Sequence, residues 1–390
     1  MNGRSTDIAI AGGGLAGGLI ALALARARPD LRVTLAEGGE TLGGNHRWSW
    51  FATDLDRDGA GLLDQFRLSR WDGYAVRFPA YARDLGTPYR SLSSVDFDAG
   101  LRRLLPAGTI RCGATIVSLD ASGIDLAGGE RIEAGAVIDA RGLSQASALE
   151  GGWQVFMGRH LRTAAPHAID RPVIMDAALD QHGAYRFVYV LPLTDDELFV
   201  EDTYYADSPT LDHLALAGRI DAYCAAHGWH GEILGHETGV LPVVTGGDFA
   251  AFQAAHRIPG VAVVGARGGF AHPLTSYTLP FAAGTALTIA RAADRPGAQL
   301  AALVEAQARD HWRGTAFYRR LGRLLFGAAA PDQRYKVFER FYRLPSPLIE
   351  RFYAARSTPA DCSRIASASP PKPAPITQAR LSWTVMRLSS

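Results

Sequence analysis

Apolar and polar residues near the start of this 390-residue chain alternate in blocks that a glycine-rich turn separates. The apolar stretch Asp7–Ala11 predicts a buried strand, and Leu15–Arg28 has the composition of a helix that ends before Pro29. A second apolar stretch, Arg32–Ala36, predicts another strand that ends at Glu37. The pattern therefore predicts a β-α-β unit at the beginning of the chain.

The segment Ile8–Ala25 carries no charge and is long enough to cross a membrane. Its centre, however, contains five glycines, and each glycine is costly in the interior of a helix. We therefore interpret this segment as a strand, a turn and the first part of a helix, and reject a membrane-spanning helix.

Further along the chain the pattern predicts elements of both types and no internal repeat. Strands are expected within Thr109–Ala140, in Ile258–Val264 and as two long strands within Gly183–Tyr205, around a turn at Thr194-Asp195-Asp196. Helices are expected within Tyr89–Arg103, Leu211–His227, Pro280–Ala293 and, with a break at Pro345 and Pro347, His311–Arg356. After Ile365, Ser, Pro and Ala dominate, so we expect a disordered tail.

Composition narrows the classes of function. The chain is 47% hydrophobic and 20% charged, which is ordinary for a globular protein, and its net charge of +1 argues against bulk binding of nucleic acid. The three cysteines, Cys112, Cys224 and Cys362, form no CxxC pair, so we expect neither a zinc site nor a disulfide framework. No other metal site is expected. No segment has the charge pattern of a secretory signal.

The turn after the first strand has the spacing Gly12-x-Gly14-x-x-Gly17, and Glu37 follows the second strand. In a dinucleotide-binding turn the three glycines permit the tight turn, the approach of the pyrophosphate and close packing of helix on strand. The helix N-terminus then offers amide donors to the phosphates, and the acid can accept hydrogen bonds from ribose hydroxyls. In this context the motif predicts a dinucleotide site, formed by Gly12, Gly13, Gly14, Leu15, Ala16, Gly17 and Glu37.

Three more segments favour FAD over NAD. The pair Gly43-Gly44 follows the second strand, and Val137–Gly142 resembles the segment by which two-domain flavoproteins return to the cofactor domain. Val263–Gly268, with Gly265 and Arg267, stands where flavin hydroxylases place a Gly-Asp pair that binds the ribityl chain. No aspartate follows Gly265 here, which weakens a hydroxylase interpretation. Each segment alone is more typical of a buried strand and turn than of a cofactor site.

Two acids interrupt the apolar stretch Leu198–Tyr205. Because side chains alternate along a strand, Glu201 is expected to point with Phe199, Thr203 and Tyr205, and Asp202 to the other side. A carboxyl group beside aromatic rings is partly desolvated, which raises its pKa, and a protonated acid at neutral pH can protonate an alkene. From spacing alone, a solvated acidic pair on an edge strand is the more common explanation.

Several segments together resemble lycopene β-cyclases of the bacterial type, over residues 7 to about 365. They are AGGGLAGGLIALAL at the N-terminus, GGNHRWSW at 43–50, YRFVYVLPL at 185–193, VEDTYY at 200–205, GVLPV at 239–243, GGFAHPLTSYTLP at 268–280 and FYRLPSPLIERFYAAR at 341–356.

The resemblance implies an isomerase of carotenoid biosynthesis that cyclises the ψ-ends of lycopene to β-rings, giving γ-carotene and then β-carotene. It implies Glu201 as general acid supported by Asp202, with reduced FAD as cofactor and NAD(P)H as a candidate reductant. It also places Trp48, Tyr185, Phe187, Thr203, His272 and Tyr277 near the substrate or the flavin, and Gly44, Gly265 and Arg267 at the cofactor. Candidates for the wall around the developing cation are Trp48, Trp50, Tyr185, Phe187, Tyr204, Tyr205 and Phe270, although most of them are expected to be plain core residues.

We therefore expect an α/β fold: a two-domain flavoprotein of the Rossmann-type FAD-binding class, with a mixed-sheet substrate domain and a C-terminal helical segment. The cyclase unit is expected to span 1–365. FAD-binding parts lie at about 5–50, 105–150 and 258–295, substrate parts at about 51–104 and 151–257, a helical membrane-facing part at about 305–360, and the tail at 366–390.

Because lycopene is insoluble in water, a cyclase must draw it from a membrane. His311–Arg356 contains ten basic and three acidic residues interleaved with aromatic residues, which suits an anionic bilayer surface. We expect a cytoplasmic protein, peripheral on the inner face of the cell membrane, in contact with other carotenoid enzymes. A helical cap with a solvated basic face is the alternative interpretation of this segment.

Two other functions remain open from the sequence. One is a FAD-dependent monooxygenase or oxidoreductase acting on an isoprenoid lipid, which would consume NAD(P)H in proportion to product. The other is a non-catalytic lipid carrier on the same fold, in which replacing Glu201 would leave function intact.

Overall fold

In a computed structural model of the chain, residues 6–143, 146 and 148–367 are described. The strands are β1 Thr6–Ala11, β2 Val33–Ala36, β3 Arg47–Phe51, β4 Ser69–Trp71, β5 Tyr74–Phe78, β6 Tyr81–Leu85, β7 Tyr89–Ser93, β8 Ile110–Arg111, β9 Ile116–Asp120, β10 Gly123–Leu126, β11 Arg131–Asp139, β12 Leu149–Thr163, β13 Val173–Asp176, β14 Tyr185–Pro192, β15 Glu197–Ala206, β16 Gly231–Gly247 and β17 Val261–Val263. The helices are α1 Leu15–Ala27, α2 Arg57–Leu63, α3 Ser94–Leu104, α4 His213–Ala226, α5 Phe249–His256, α6 Leu279–Arg291, α7 Gly297–Gly314, α8 Ala316–Ala328, α9 Tyr335–Phe341, α10 Ser346–Tyr353 and α11 Pro359–Ser367.

The first sheet is mainly parallel and has the order β8-β2-β1-β11-β10-β9, with β17 also paired to β11. β1 lies between β2 and β11 and runs parallel to both, which is the arrangement of a dinucleotide-binding unit. Helices α1 and α6 pack on one face of the sheet through the largest apolar cluster of the described residues. The antiparallel strands β9 and β10 cover the other face with a smaller apolar cluster.

The second sheet is mixed and has the order β16-β12-β15-β14-β13-β5-β6. Its long strands β12 and β16 are paired antiparallel from Leu149 to Thr163, and β15 lies on the other side of β12. One face packs against α4. The other face packs against aromatic residues of the C-terminal helices, for example Tyr185 on Phe338 with ring centroids 4.5 Å apart.

The small antiparallel sheet β3-β7-β4 lies between the two larger ones. Its strand β3 begins just after the pair Gly43-Gly44, and the side chain of Asn45 donates to the carbonyl of His236 in β16 at 2.7 Å. This connection brings the glycine pair close to the second sheet.

Predicted elements and observed elements agree at the N-terminal β-α-β unit, in β14 and β15, and in helices α4 and α6. The predicted helical region at 311–356 is confirmed, including its break near Pro345. The long strands β12 and β16 were not predicted. Residues 366 and 367, placed in the expected tail, end helix α11, and the remainder of that tail lies outside the described residues.

Most aromatic residues of the C-terminal helices pack inward. Tyr318, Phe338, Phe341, Tyr342, Phe352 and Tyr353 are buried, and Arg319 and Arg334 are buried with them. The apolar faces of these helices therefore cover the second sheet, and the membrane-facing role of this region stays a prediction. In the described part of the chain, no helix has the length and apolar character needed to cross a bilayer.

Candidate active site

Four residues form one row across four strands on the face of the second sheet that the C-terminal helices cover. The strand register aligns Tyr189 of β14 with Glu201 of β15, Glu201 with Gly158 of β12, and Gly158 with Glu237 of β16. Because directly opposite residues point to the same side of a sheet, both carboxyl groups lie on this face. Glu201 was predicted as the general acid, whereas Glu237 was not singled out from the sequence.

Glu201 is held by its neighbours. The hydroxyl of Thr203 donates to Oε1 of Glu201 at 2.7 Å, and the carboxyl group of Glu237 lies within hydrogen-bonding reach of that of Glu201. Burial raises the pKa of Glu201, and the bond from Thr203 only partly opposes the shift. The group therefore keeps its proton at a pH where an exposed glutamate would be ionised.

Partly accessible side chains cluster around Glu201. Glu201, Tyr189 and Tyr277 are each half-buried, and fully buried aromatic residues such as Phe187 and Tyr89 adjoin them. Arg47 of β3 is also half-buried and lies over the ring of Phe199. Because half-buried side chains within a buried cluster leave space between them, we infer an interior chamber beside Glu201.

The hydroxyl of Tyr277 stands 3.4 Å from that of Tyr189 and 3.5 Å from that of Tyr89, at the long end of the hydrogen-bonding range. Burial raises the pKa of all three phenols, so they remain neutral. Tyr277, predicted near the flavin, is thus joined to the Glu201 row through Tyr189, which the prediction omitted.

Asp202 lies on the opposite face, as strand alternation requires. Its Oδ1 accepts from the guanidinium of Arg186 at 2.7 Å and its Oδ2 from the hydroxyl of Tyr204 at 2.8 Å, and it is fully buried beneath α4. The structure therefore separates the two predicted acids: Asp202 contacts no atom of the chamber through these bonds, and it anchors β15 to β14.

The predicted aromatic wall is divided among three environments. Tyr185, Phe187 and Tyr205 share the Glu201 face of the sheet. Tyr204 points to the Asp202 side, so its assignment to the wall is wrong. Trp50 and Phe270 are buried in the core beneath α1 and α6, while Trp48 stands edge-on to Phe97 at 5.3 Å.

His272 is fully buried and both ring nitrogens are bonded to the backbone. Nε2 meets the carbonyl of Phe352 at 3.2 Å, and Nδ1 accepts from the amides of Leu274 and Thr275. Burial lowers the pKa of this imidazole to about 3, so it is neutral. In this arrangement His272 fastens the 268–280 loop to α10.

The predicted cofactor segments meet at the start of α1. A Cβ at Gly12, where φ is +105°, would lie 2.9 Å from the backbone of Ala140 and Arg141. A Cβ at Gly17 would lie 2.0 Å from the carbonyl oxygen of Gly12. A Cβ at Gly265 would lie 3.1 Å from the Cβ of Ala16, in the first turn of α1. A strand, a helix N-terminus and three loops therefore converge on one turn.

The geometry of this turn fits a dinucleotide. A Cβ at Gly14, the N-cap residue just before α1, would meet nothing within 4 Å, so open space lies beside the helix N-terminus where a pyrophosphate would bind. The Glu37 carboxylate accepts from the amides of Gly13 at 2.7 Å and Gly39 at 2.9 Å, which holds it beside the turn. The amide of Gly43 donates to the carbonyl of Gly13 at 2.9 Å.

Near this turn, Asp139 is fully buried and pairs with Arg141 at 2.9 Å. The Nε of Arg267 donates to the carbonyl of Arg141 at 3.0 Å and lies 3.8 Å from Asp139. The chain thus carries a cation at the segment where a hydroxylase would carry an aspartate. Among the described residues, no cluster of His, Cys, Asp or Glu has the arrangement of a metal site.

The fold is that of the two-domain flavoproteins. A geranylgeranyl bacteriochlorophyll reductase-like protein from Thermoplasma acidophilum superposes with a TM-score of 0.65 at 13% identity, covering 93% of this chain and 99% of that one. A flavin-dependent halogenase from Xanthomonas campestris superposes with a TM-score of 0.58 at 15% identity, covering 92% and 82%.

The sequence identifies a narrower group within that class. Residues 7–380 match the lycopene cyclase protein family, and this chain belongs to it. Lycopene β-cyclases from Paracoccus sp., Pseudescherichia vulneris and Pantoea ananas are 43%, 40% and 38% identical to it, each over 94% of this chain and 95% of the relative. The predicted family is confirmed, and the match extends beyond residue 365, where we expected it to end.

Proposed function

We propose that this chain is a lycopene β-cyclase that closes the ψ-ends of lycopene by acid catalysis without net oxidation. The observation that carries the proposal is the half-buried carboxyl group of Glu201, whose pKa is raised by desolvation, among aromatic side chains on one face of the second sheet in a member of the lycopene cyclase family. The curated relatives that bear the name lycopene β-cyclase support the choice of substrate.

The reaction begins with transfer of a proton from Glu201 to C2 of the terminal alkene, which leaves a tertiary cation at C1. The π electrons of the C5–C6 double bond attack C1 and close a six-membered ring, so that the positive charge moves to C5. Loss of the proton on C6 forms the C5–C6 double bond of the β-ring. One proton enters and one leaves for each ring, so the reaction is an isomerisation.

A cationic intermediate requires a chamber that excludes water and offers π electrons. Tyr189 stands directly across from Glu201, and Phe187, Tyr185 and Tyr205 continue the same face. Their rings can stabilise positive charge without acting as nucleophiles, because burial keeps the phenols protonated.

We propose that the converging turn binds FAD. The amides at the start of α1 would hold the pyrophosphate, Glu37 would accept from the ribose, and Gly44, Gly265 and Arg267 would line the remainder of the cofactor site. In its reduced form FAD supplies negative charge that favours a nearby cation, and NAD(P)H is the candidate reductant.

Gly14→Ala tests this cofactor site. Since a Cβ at this position meets no protein atom, the variant is expected to fold as the wild type does and to lose bound FAD because the methyl group occupies the pyrophosphate space. Gly61→Ala, whose Cβ also meets nothing within 4 Å, is the matched control. Flavin absorbance after gel filtration is the measurement, and normal FAD content in Gly14→Ala would contradict the assignment.

Glu201→Gln tests the catalytic proposal. The purified protein, loaded with FAD and reduced by dithionite without oxygen, is incubated with liposomes containing lycopene, and the pigments are separated by chromatography. Wild type is expected to give γ-carotene and β-carotene, and the variant neither while still binding FAD. Product that forms only with stoichiometric oxygen and NAD(P)H would instead identify a monooxygenase.

We also propose that the protein works as a peripheral protein on the inner face of the cell membrane, in contact with other carotenoid enzymes. Support comes from α8, where Leu324 is 40% exposed and lies on the same side of the helix as the exposed cations Arg320 and Arg323. Leu324→Glu is expected to weaken sedimentation with anionic liposomes, whereas Val95→Glu, at an exposed apolar position on α3, serves as the control.

A further inference from the structure

Glu237 is buried on the edge strand β16, where a charged side chain could easily have faced solvent. It is only 5% exposed, and it lies in register with Glu201 on the far side of Gly158. Two strand spacings separate the backbones of the two glutamates by roughly 10 Å, a distance that both side chains can span from opposite sides. The two carboxyl groups come close enough for either one, when protonated, to donate a hydrogen bond to the other.

The centre of the row leaves room for this contact because residue 158 is a glycine. The ring of Phe199 lies over it, and a Cβ at this position would stand 2.3 Å from the Phe199 Cζ atom. A hydrogen atom at residue 158 therefore lets Phe199 form an apolar floor between the two carboxyl groups. An apolar floor disfavours ionisation of both.

Among the described residues, few charged groups face the pair of Glu201 and Glu237. The backbone amide of Arg47 in β3 faces Glu237 and lowers its pKa, and the Arg47 guanidinium stands 5.4 Å from the centre of the Phe199 ring. Tyr189 of β14 faces Glu201 as a neutral phenol, and Asp202 acts on Glu201 only from the opposite face of the sheet. The Arg47 cation also interacts with Asp96 in the first turn of α3, so it can balance at most one negative charge in the pair.

We propose that Glu237 is a positioning residue for the reaction, the second carboxyl group of a pair that shares protons with Glu201 and keeps Glu201 able to act as the acid. This inference rests on the proposed function, because it assigns Glu237 a role in the same proton transfer. Neither carboxyl group acts alone: the proton that Glu201 needs is retained between the two side chains.

The proton balance follows from this contact. When Glu201 gives its proton to C2 of the substrate, the negative charge that the pair gains is balanced by the positive charge that forms at C1. When C6 loses its proton after ring closure, the Glu201 carboxylate accepts it and the pair returns to its starting state. Glu237 transfers no proton to carbon, and no other reactant is needed.

Proton sharing between Glu201 and Glu237 predicts how the rate of cyclisation depends on pH. A second negative charge beside the first is unfavourable at such a short separation, so the last proton leaves the pair only at alkaline pH. Removing the ionisable group at 237 removes this repulsion, and Glu201 then loses its proton at lower pH. The alkaline limb of the rate should therefore move toward neutral pH when Glu237 becomes glutamine.

The test measures cyclisation from pH 5.5 to 9.5 with FAD-loaded, dithionite-reduced enzyme and lycopene liposomes, for wild type, Glu237→Gln and Glu237→Asp. Glutamine keeps the shape and a hydrogen-bond donor, so a merely structural role would lower the rate equally at every pH. Proton sharing between Glu201 and Glu237 instead predicts that the alkaline limb of the pH–rate profile of Glu237→Gln lies about one pH unit lower than in wild type. At pH values above the limb this is a roughly tenfold loss of rate. Glu237→Asp keeps a carboxyl group, so its alkaline limb should lie between those of Glu237→Gln and wild type.

A second readout does not depend on activity or on the flavin. Infrared spectra of the protein titrated across the same range should show two buried carboxylic-acid carbonyl bands in wild type, one in Glu237→Gln and one in Glu201→Gln. The band that remains in Glu237→Gln should disappear at lower pH than the last band of wild type. Titration of two independent bands, unchanged by the other substitution, would overturn the proposal even if a variant were inactive.

Glu201→Gln separates the failure of this inference from the failure of the proposed function. If Glu201→Gln cyclises lycopene at any pH, the assignment of Glu201 as the acid is wrong and the pair has no catalytic meaning. If Glu201→Gln is inactive but Glu237→Gln has the wild-type limb, the acid assignment stands and the sharing of protons is wrong.

Discussion

Thr203→Val should make the enzyme more tolerant of alkaline pH. The Thr203 hydroxyl donates to Oε1 of Glu201 at 2.7 Å, and Thr203 is fully buried, so water cannot replace this donor easily. A hydrogen bond of this kind stabilises the ionised carboxylate more than the neutral acid, and therefore lowers the pKa of Glu201. Valine keeps the branched shape and removes the donor.

The size of the shift follows from the difference between two hydrogen bonds. A bond to a charged acceptor contributes about 1.5–3 kcal/mol and a bond to a neutral one about 0.5–1.5 kcal/mol. Their difference, ~1–1.5 kcal/mol, corresponds to about one pKa unit at roughly 1.36 kcal/mol per unit. Because the reaction requires protonated Glu201, the alkaline limb should rise by about one pH unit, opposite to the shift expected for Glu237→Gln.

The assay is the rate of ring formation against pH with reduced, FAD-loaded enzyme. Thr203→Ser retains the hydroxyl and is the matched control, expected to keep the wild-type limb. An alkaline limb that stays in place or moves to lower pH in Thr203→Val would refute the reasoning, since it would mean that the hydroxyl does not favour the ionised form of the catalytic acid.

Three further predictions concern stability and cofactor binding. Arg186→Met leaves Asp202 buried without its cation and should lower the free energy of unfolding by about 3–5 kcal/mol in urea titrations, with a smaller loss in Arg186→Met/Asp202→Leu; equal stability of wild type and the single variant would contradict this. Burial raises the pKa of Glu201 and Glu237 in the folded protein above the usual carboxyl value of 4.5. The free energy of unfolding should therefore be highest below pH 4.5 and should fall as the pH rises through the folded pKa values. The double variant Glu201→Gln/Glu237→Gln should lose less free energy of unfolding between about pH 5 and 9 than wild type does. Gly17→Ala, whose Cβ would lie 2.0 Å from the carbonyl of Gly12, should lower both the melting temperature and FAD content, whereas Gly14→Ala lowers FAD content alone.

Local patterns were sufficient for the elements that carry their own period or motif. The glycine spacing at 12–17 and the apolar stretches around it predicted β1, α1 and β2, because tight turns and close helix packing require those glycines. The strands β12 and β16 escaped prediction because glycines and charged residues interrupt them, including Gly151, Gly158 and Glu237. Their strand conformation is set by pairing across 15 aligned residues instead of by local propensity.

The candidate site shows the same division. Strand alternation correctly placed Glu201 with Thr203 and Tyr205, and placed Asp202 on the other face. Glu237 and Tyr189 were missed because their position depends on the register of β16 and β14 against β15, which no local sequence pattern specifies. Alternation along β14 could have found Tyr189, since Tyr185, Phe187 and Tyr189 share one face of that strand.

The most direct test of acid-initiated cyclisation is a single turnover in deuterium oxide. The protein is first equilibrated in the heavy solvent so that the carboxyl groups carry deuterium, and the γ-carotene that forms is then analysed by mass spectrometry and NMR spectroscopy. The account predicts one deuterium atom at C2 of each new ring and no product from Glu201→Gln. Rings that form without deuterium at C2, or form in the Glu201→Gln variant, would contradict it.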